Sequence, residues 1–188
     1  MVKKVAFIVE GGTEKILLES DQFSSWLASL ELELVKPIVD ATGGGNLLPH
    51  KIGDMIDTLM EKQPDHIFIL TDLEHDPCIS EVKARLVHPK IRDSFITVLA
   101  TESWFLACTE ALSSWLNKSH YISDPENREL AKPFERLKAL GLEHKNRGCS
   151  NKKILAKQML LHGFTFEKVL EHSNCTSMKY IERVFKSL

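Results

Sequence analysis

The stretch that decides the fold is Val5-Ala6-Phe7-Ile8-Val9-Glu10-Gly11-Gly12-Thr13-Glu14, an apolar run that passes without a break into an acid, two glycines and a second acid. A continuous apolar segment of strand length, rich in β-formers, suits a strand buried on both faces of a parallel sheet. Beyond the turn, Ile16, Leu17, Phe23, Trp26, Leu27 and Leu30 recur at helical spacing, so one amphipathic helix is expected to about Leu30, with Thr13 as its N-cap. The same strand, turn and helix order then returns. Residues 34–39 lead through Gly43-Gly44-Gly45-Asn46 to a helical pattern at Ile52, Met55, Ile56 and Leu59, with Pro49 expected in its first turn. Residues 66–71 end in the densest acidic turn of the chain, Asp72-Leu73-Glu74-His75-Asp76-Pro77, and a short helix follows over 79–87. Residues 95–99 precede a helix from Glu102 to about Leu116. Such alternation implies an α/β fold, a Rossmann-like, mainly parallel sheet of about four strands with flanking helices, because each parallel connection needs a right-handed crossover.

Residues 117–132 read as a surface loop, and helices are expected over 133–140, 151–161, 166–172 and 178–186. The chain thus divides into an α/β core, 1–117, and a helical extension packed on it, 118–188. Over 188 residues, 43% apolar and 27% charged content argues against a disordered or fibrous chain. No apolar run approaches the ~18 residues of a membrane span, and Met1-Val2-Lys3-Lys4 leads into a strand without a cleavage site, so a cytoplasmic protein without a membrane partner is expected. Cys78, Cys108, Cys149 and Cys175 form no CxxC pair, which leaves a zinc knuckle or a thioredoxin-type motif without support. Charge is uneven: residues 1–127 carry 11 basic and 20 acidic side chains, residues 128–188 carry 13 basic and 6 acidic. An acidic region able to hold cations is joined to a basic one able to meet polyanions.

In open α/β sheets the working side chains collect at the carboxyl ends of the strands. That edge gathers Glu10 and Glu14 after the first strand, Asp72, Glu74 and Asp76 after the third, and Glu102 after the fourth. Carboxylates so close raise one another's pKa and destabilise the fold unless a cation neutralises them, so a hard divalent ion, Mg2+ or Mn2+, is expected there. Asp72 and Glu74, two residues apart, would project from one side of an extended turn with Leu73 directed into the core. Simpler roles stay open for Glu14, Asp76 and Glu102 as helix-start or turn acids, and for Trp104, Phe105, Trp115 and Leu116 as core. Gly43 to Asn46 lacks the Gly-Lys-Ser/Thr ending of a P-loop and reads as a flexible loop.

Two of these motifs, Glu10-Gly11-Gly12-Thr13-Glu14 and Thr71-Asp72-Leu73-Glu74, resemble the toprim domain of topoisomerases, primases and OLD-family nucleases. There a Glu-Gly turn follows the first strand and an acidic DxD-like turn the third. With Gly43-Gly44-Gly45-Asn46 and Glu102-Ser103-Trp104-Phe105-Leu106 added, the chain is similar to small stand-alone toprim-like proteins of bacterial phage-defence and abortive-infection loci, over residues 1 to about 116. The resemblance implies magnesium-dependent cleavage of phosphodiesters in DNA or RNA. Glu10, Asp72 and Glu74 would hold one or two ions with Glu14, Asp76 and Glu102 as further ligands, or Glu10 would act as general acid or base. Two departures stand out: Glu74 replaces the second Asp of the pattern, and no spacing fixes a catalytic lysine, for which Lys153 is the candidate beside Lys152. Lys132, Arg136, Lys145, Arg147, Lys152, Lys153 and Lys157 are the candidate contacts to a phosphate backbone. Two rival readings remain. One is a receiver-like phosphoacceptor module with Thr101 after its fourth strand, although no fifth strand ending in Lys-Pro follows; the other is a catalytically silent toprim-like subunit that docks a partner ATPase of ABC type.

Overall fold

In the computed structural model, which describes residues 2–188, strand β1 (Lys3–Val9) runs through the interior of the sheet. Its apolar run serves both faces, because successive side chains of a strand point to opposite sides. Val5, Phe7 and Val9 enter one hydrophobic cluster, Ala6 and Ile8 the other. On one side β1 pairs with β2 (Leu32–Leu34) and β3 (Val39–Asp40); on the other it pairs with β4 (His66–Asp72), which pairs with β5 (Asp93–Thr97). Every pairing is parallel, so the chain is an α/β protein with a Rossmann-like, five-stranded sheet.

The strand expected over 34–39 is two short pieces. Leu34 stands opposite Val5 and Val39 opposite Ile8, so the intervening segment is longer than the part of β1 it passes. Lys36 and Pro37 lie in the excess, and Pro37 has no N–H to give to a ladder. The last strand is Asp93–Thr97 rather than 95–99, and Leu99 adopts a left-handed backbone, φ 67°.

Two expected helices are each divided. The first becomes α1 (Gly12–Leu18) and α2 (Asp21–Ser29), because the Ser20 hydroxyl caps α2 by accepting from the Phe23 N–H at 3.2 Å. The N-cap of α1 is Gly11, and Thr13 lies inside the first turn. Pro49 precedes α3 (Gly53–Met60) instead of opening it, and α4 (Ile79–Arg85) follows the acidic turn. The helix expected over 102–116 divides at Cys108 into α5 (Ser103–Ala107) and α6 (Thr109–Leu116). In the extension, α7 (Pro133–Lys145) continues through Gly141, where a Cβ would stand 2.9 Å from the Trp115 ring and from the Arg147 carbonyl. Glycine is needed there for close approach, not to stop the helix. The chain ends in α8 (Lys152–Leu161), α9 (Phe166–Glu171) and α10 (Thr176–Lys186).

Helices α3 and α4 cover one face of the sheet, through Ile56, Leu59, Val82 and Leu86 against Ile67, Ile69 and Ile96. The remaining helices contribute to the other cluster, in which Leu137, Leu155, Met159, Phe166 and Ile181 of the extension are buried with Phe7 and Phe68 of the sheet. Phe185 of α10 is central to it, with ring centroids 6.2, 5.6, 5.4 and 5.5 Å from Phe7, Phe68, Phe95 and Trp26. Among the described residues, no helix is long and apolar enough to cross a membrane. Phe185→Ala should therefore lower unfolding stability by about 3–5 kcal/mol in a denaturant titration. Leu161→Ala, at a position 87% exposed, should change it by no more than about 0.5 kcal/mol.

Candidate functional site

Strand order reverses about β1, and in open α/β sheets the crevice opens outside the carboxyl ends of the strands at such a switch. Glu10 follows β1 directly and Asp72 ends β4, so the two acids meet there. Glu10 Oε2 accepts from the Asp72 N–H at 3.1 Å and from the Thr71 hydroxyl. Gly44 leaves room for this carboxylate: a Cβ on it would lie 3.2 Å from Glu10 Oε1. The Gly43 N–H donates to the Glu10 carbonyl at 2.8 Å, and Gly43 itself has φ 126°, a conformation that favours glycine. The glycine run is a packed 3-10 turn, Gly44–Asn46, against Glu10 rather than a flexible loop.

Asp72 is held by three donors on one oxygen. Its Oδ1 accepts from the Thr97 hydroxyl at 2.5 Å, the Thr101 N–H at 2.8 Å and the Thr101 hydroxyl at 2.9 Å. Glu14, on the first turn of α1, is buried beside it. Burial, with the charge of Asp72 added, pushes the Glu14 carboxyl up to about 8. Burial likewise raises Asp72, to about 6, against the hydrogen bonds from Thr97 and Thr101 and with the charge of Glu102 adding to the rise.

Glu102 lies before α5, is 1% exposed, and has no hydrogen-bond partner on either carboxylate oxygen. Its compensation is ionic: Lys152 Nζ, from the first residue of α8, stands 3.1 Å from Oε2. Partial burial works against the Lys152 ammonium, yet the charges of Glu102, Asp72 and Glu14 outweigh it and hold its pKa above the ordinary lysine value. Lys153 packs over the turn between β1 and α1, where a Cβ on Gly12 would collide with its side chain.

Glu10, Glu14, Asp72, Glu74, Lys152 and Lys153 line one crevice of about 790 Å³. Glu74 is exposed with a left-handed backbone, φ 49°, and its N–H donates to the Leu99 carbonyl at 2.9 Å, while Leu73 between the two acids is fully buried. Asp76 is directed to an adjoining cleft of about 210 Å³ and is ion-paired with Arg85 at 2.6 Å. The basic candidates are dispersed. Arg136 donates to the Asp124 carbonyl at 2.7 Å and the Ser123 hydroxyl at 2.8 Å, which pins the 117–132 loop. Lys132 stands 2.9 Å from His75, Lys145 lies 4.9 Å from the Trp115 ring centroid, and Arg147 and Lys157 are exposed. Only Lys152 and Lys153 of that set line the crevice.

Sequence reasoning missed Thr71 and Thr97, which orient Glu10 and Asp72, and Asp40 and Thr42, which line the crevice. The signal for the first two is a hydroxyl at the carboxyl end of a strand, directly after an apolar run, Ile67 to Leu70 before Thr71 and Phe95-Ile96 before Thr97. Among the described residues, no three His, Cys, Asp or Glu side chains converge closely enough to enclose a metal ion as they lie. The donor chemistry suits a hard divalent cation, since the acids offer oxygen alone and Glu102 has two buried oxygens without a hydrogen bond. Fold and geometry together define an α/β protein with an acidic crevice at the switch point, faced by two lysines. No family model, curated protein or solved structure matches the chain.

The raised carboxyls fix a direction for stability. Folded Glu14 keeps its proton to about pH 8, whereas an unfolded glutamate ionises near its ordinary value of 4.5, so its contribution is full below about 4.5 and is lost as pH rises through about 8. Melting temperature measured across that window should fall with pH more steeply in the wild type than in Glu14→Gln. Equal slopes would contradict a buried, proton-holding Glu14.

Proposed function

We propose that the chain is a metal-dependent phosphodiesterase of nuclease type, acting on DNA or RNA with Mg2+ or Mn2+. The observation that carries this reading is the trio Glu14, Asp72 and Glu102, in which the charges of Asp72 and Glu102 add to the rise of Glu14 and that of Glu102 to the rise of Asp72, while one partly exposed lysine stands 3.1 Å from Glu102 as compensation. Asp72, Glu14 and Glu102 are the residues that would hold the ion, with Glu10 and Glu74 nearer the crevice. A bound divalent cation supplies Lewis-acid polarisation of a phosphoryl oxygen and lowers the pKa of water. Glu10, fixed through Oε2, keeps Oε1 to hold a water or take up a proton. Lys152 and Lys153, which line the same crevice as the acids, would offer two ammonium groups to the phosphate. The toprim-like order of the motifs supports the same chemistry. A setting in phage defence and an ABC-type ATPase partner rest on that resemblance alone. The receiver-like reading has less support, because Asp72 Oδ1 already carries three hydrogen bonds and everything described after β5 is helix or loop.

Asp72→Asn removes a candidate ligand and makes the crevice less negative. Cleavage of labelled DNA or RNA in Mg2+ should fall by on the order of 10²-fold or more, while affinity by fluorescence anisotropy stays equal or rises. Changing both Lys152 and Lys153 to Ala should flatten the plot of log affinity against log salt by up to about two units. Full cleavage by Asp72→Asn, or no binding of either nucleic acid by the wild type at low salt with Mg2+, would sink the nuclease reading in favour of a silent docking subunit.

A further inference from the structure

We propose that Lys152 is an exchangeable internal counter-cation: it neutralises Glu102 in the metal-free crevice and is released toward phosphate when a divalent ion takes that carboxylate. The inference rests on the metal-site reading above and concerns how that site is loaded. Glu102 is 1% exposed and neither oxygen has a hydrogen-bond partner, so an ion pair is the compensation available to it among the described residues. A buried carboxylate in that condition demands a cation, and a divalent ion satisfies the demand better than a single ammonium.

Lys152 is built to leave. Its side chain is 46% exposed although its partner is 1% exposed, so the ammonium reaches the carboxylate from the solvent side and can withdraw without opening the core. The start of α8 does not depend on the pair, because the Asn151 side chain caps the helix by accepting from the Ile154 N–H at 2.9 Å. A lysine carries its charge on a flexible four-carbon stem, and the same swing that frees Glu102 carries the ammonium into the crevice that Lys152 already lines. Lys153 differs: it packs on the Gly12 turn, and the ion pair of Glu102 is with Lys152.

Two consequences follow. Lys152 lowers resting metal affinity, and a polyanion that draws Lys152 away from Glu102 raises it, so metal and phosphate bind with positive, reciprocal coupling.

The test is calorimetric titration of Mn2+ into the full chain without nucleic acid. Lys152→Gln should bind Mn2+ about tenfold more tightly than the wild type, whereas Lys153→Gln, which removes the same charge from the same crevice, should gain less than about threefold. In a Glu102→Gln background, Lys152→Gln should gain no more than Lys153→Gln does, because only the general field of its charge on Asp72 and Glu14 is left. Lys152→Arg, which keeps the charge and grips a carboxylate more firmly, should bind Mn2+ more weakly than the wild type and serves also if Lys152→Gln does not fold. Equal gains from Lys152→Gln and Lys153→Gln would overturn the exchange in favour of a general field effect, with the metal site left standing. Unchanged or weaker binding by Lys152→Gln would overturn it as well. If the wild type and every variant fail to bind Mn2+, the inference falls together with the metal-site reading.

Discussion

A carboxylate sealed from water without a hydrogen bond must have a cation within reach, and Glu102 finds one in Lys152. The acid comes from the end of the loop after β5, the base from the first residue of α8, so the acidic site takes its form only when the helical extension is packed on the sheet. The packing that brings them together is apolar. Leu155, Ala156 and Met159 of α8 lie in the same buried cluster as Leu17 and Leu18 of α1, and Phe185 of α10 fills the space above Phe7, Phe68 and Phe95. One continuous core therefore crosses both the boundary at residues 117 and 118, where the element pattern changes, and the one at 127 and 128, where the balance of charge turns.

That dependence gives the uneven charge a physical sense. The excess of acid in residues 1–127 is partly the cost of gathering Glu10, Glu14, Asp72, Glu74 and Glu102 at one sheet edge, and the basic helices supply compensation at the points where it is needed. Compensation is local. Arg136 holds the 117–132 loop and Lys145 stacks over Trp115, so a large part of the positive charge in the extension serves the extension itself. A uniform basic face, the footprint of a protein that grips long nucleic acid through its backbone, is not what these contacts describe. Of the basic candidates, only Lys152 and Lys153 stand at the acidic crevice.

Much of this was legible in the sequence. The unbroken run Val5 to Val9 announced a strand buried on both faces, and the positions of Glu10 and Asp72 at strand ends followed once the units were seen to be parallel. What escaped were features decided by single local contacts. Ser20 ends one helix and starts another by capping, Cys108 separates α5 from α6, and Pro37 interrupts a strand whose hydrophobic pattern continues past it. A periodicity argument averages over such positions and cannot resolve them. The pairing of Lys152 with Glu102 was beyond reach for another reason: it depends on how α8 lies against α1, and no local pattern encodes that contact. The Gly43 to Asn46 turn was misread because a glycine run signals freedom of the backbone, whereas here the absent Cβ makes room for Glu10.

The site is expensive for the fold that carries it. Glu14 is a buried and Asp72 a half-buried acid with raised pKa values, Glu74 and Leu99 hold left-handed backbones on either side of one hydrogen bond, and buried Glu102 has only the Lys152 ammonium as compensation. Each of these departures costs stability, commonly about 1–3 kcal/mol for a strained backbone, and none contributes to packing. The acids border or underlie one crevice, whereas left-handed backbones occur also outside its lining, at Glu31, Gln63, Asn117 and Asn146; the sheet interior and the face under α3 and α4 are conventional apolar packing. Acids brought together at one place, beside a core that is otherwise consistent, are the pattern expected where structure is sacrificed to function. A random scatter of surface acids would have relaxed apart into solvent. Here the threonines at positions 71, 97 and 101 hold Glu10 and Asp72 in place by hydrogen bonds, so that carboxylates which repel one another are kept from turning out into solvent.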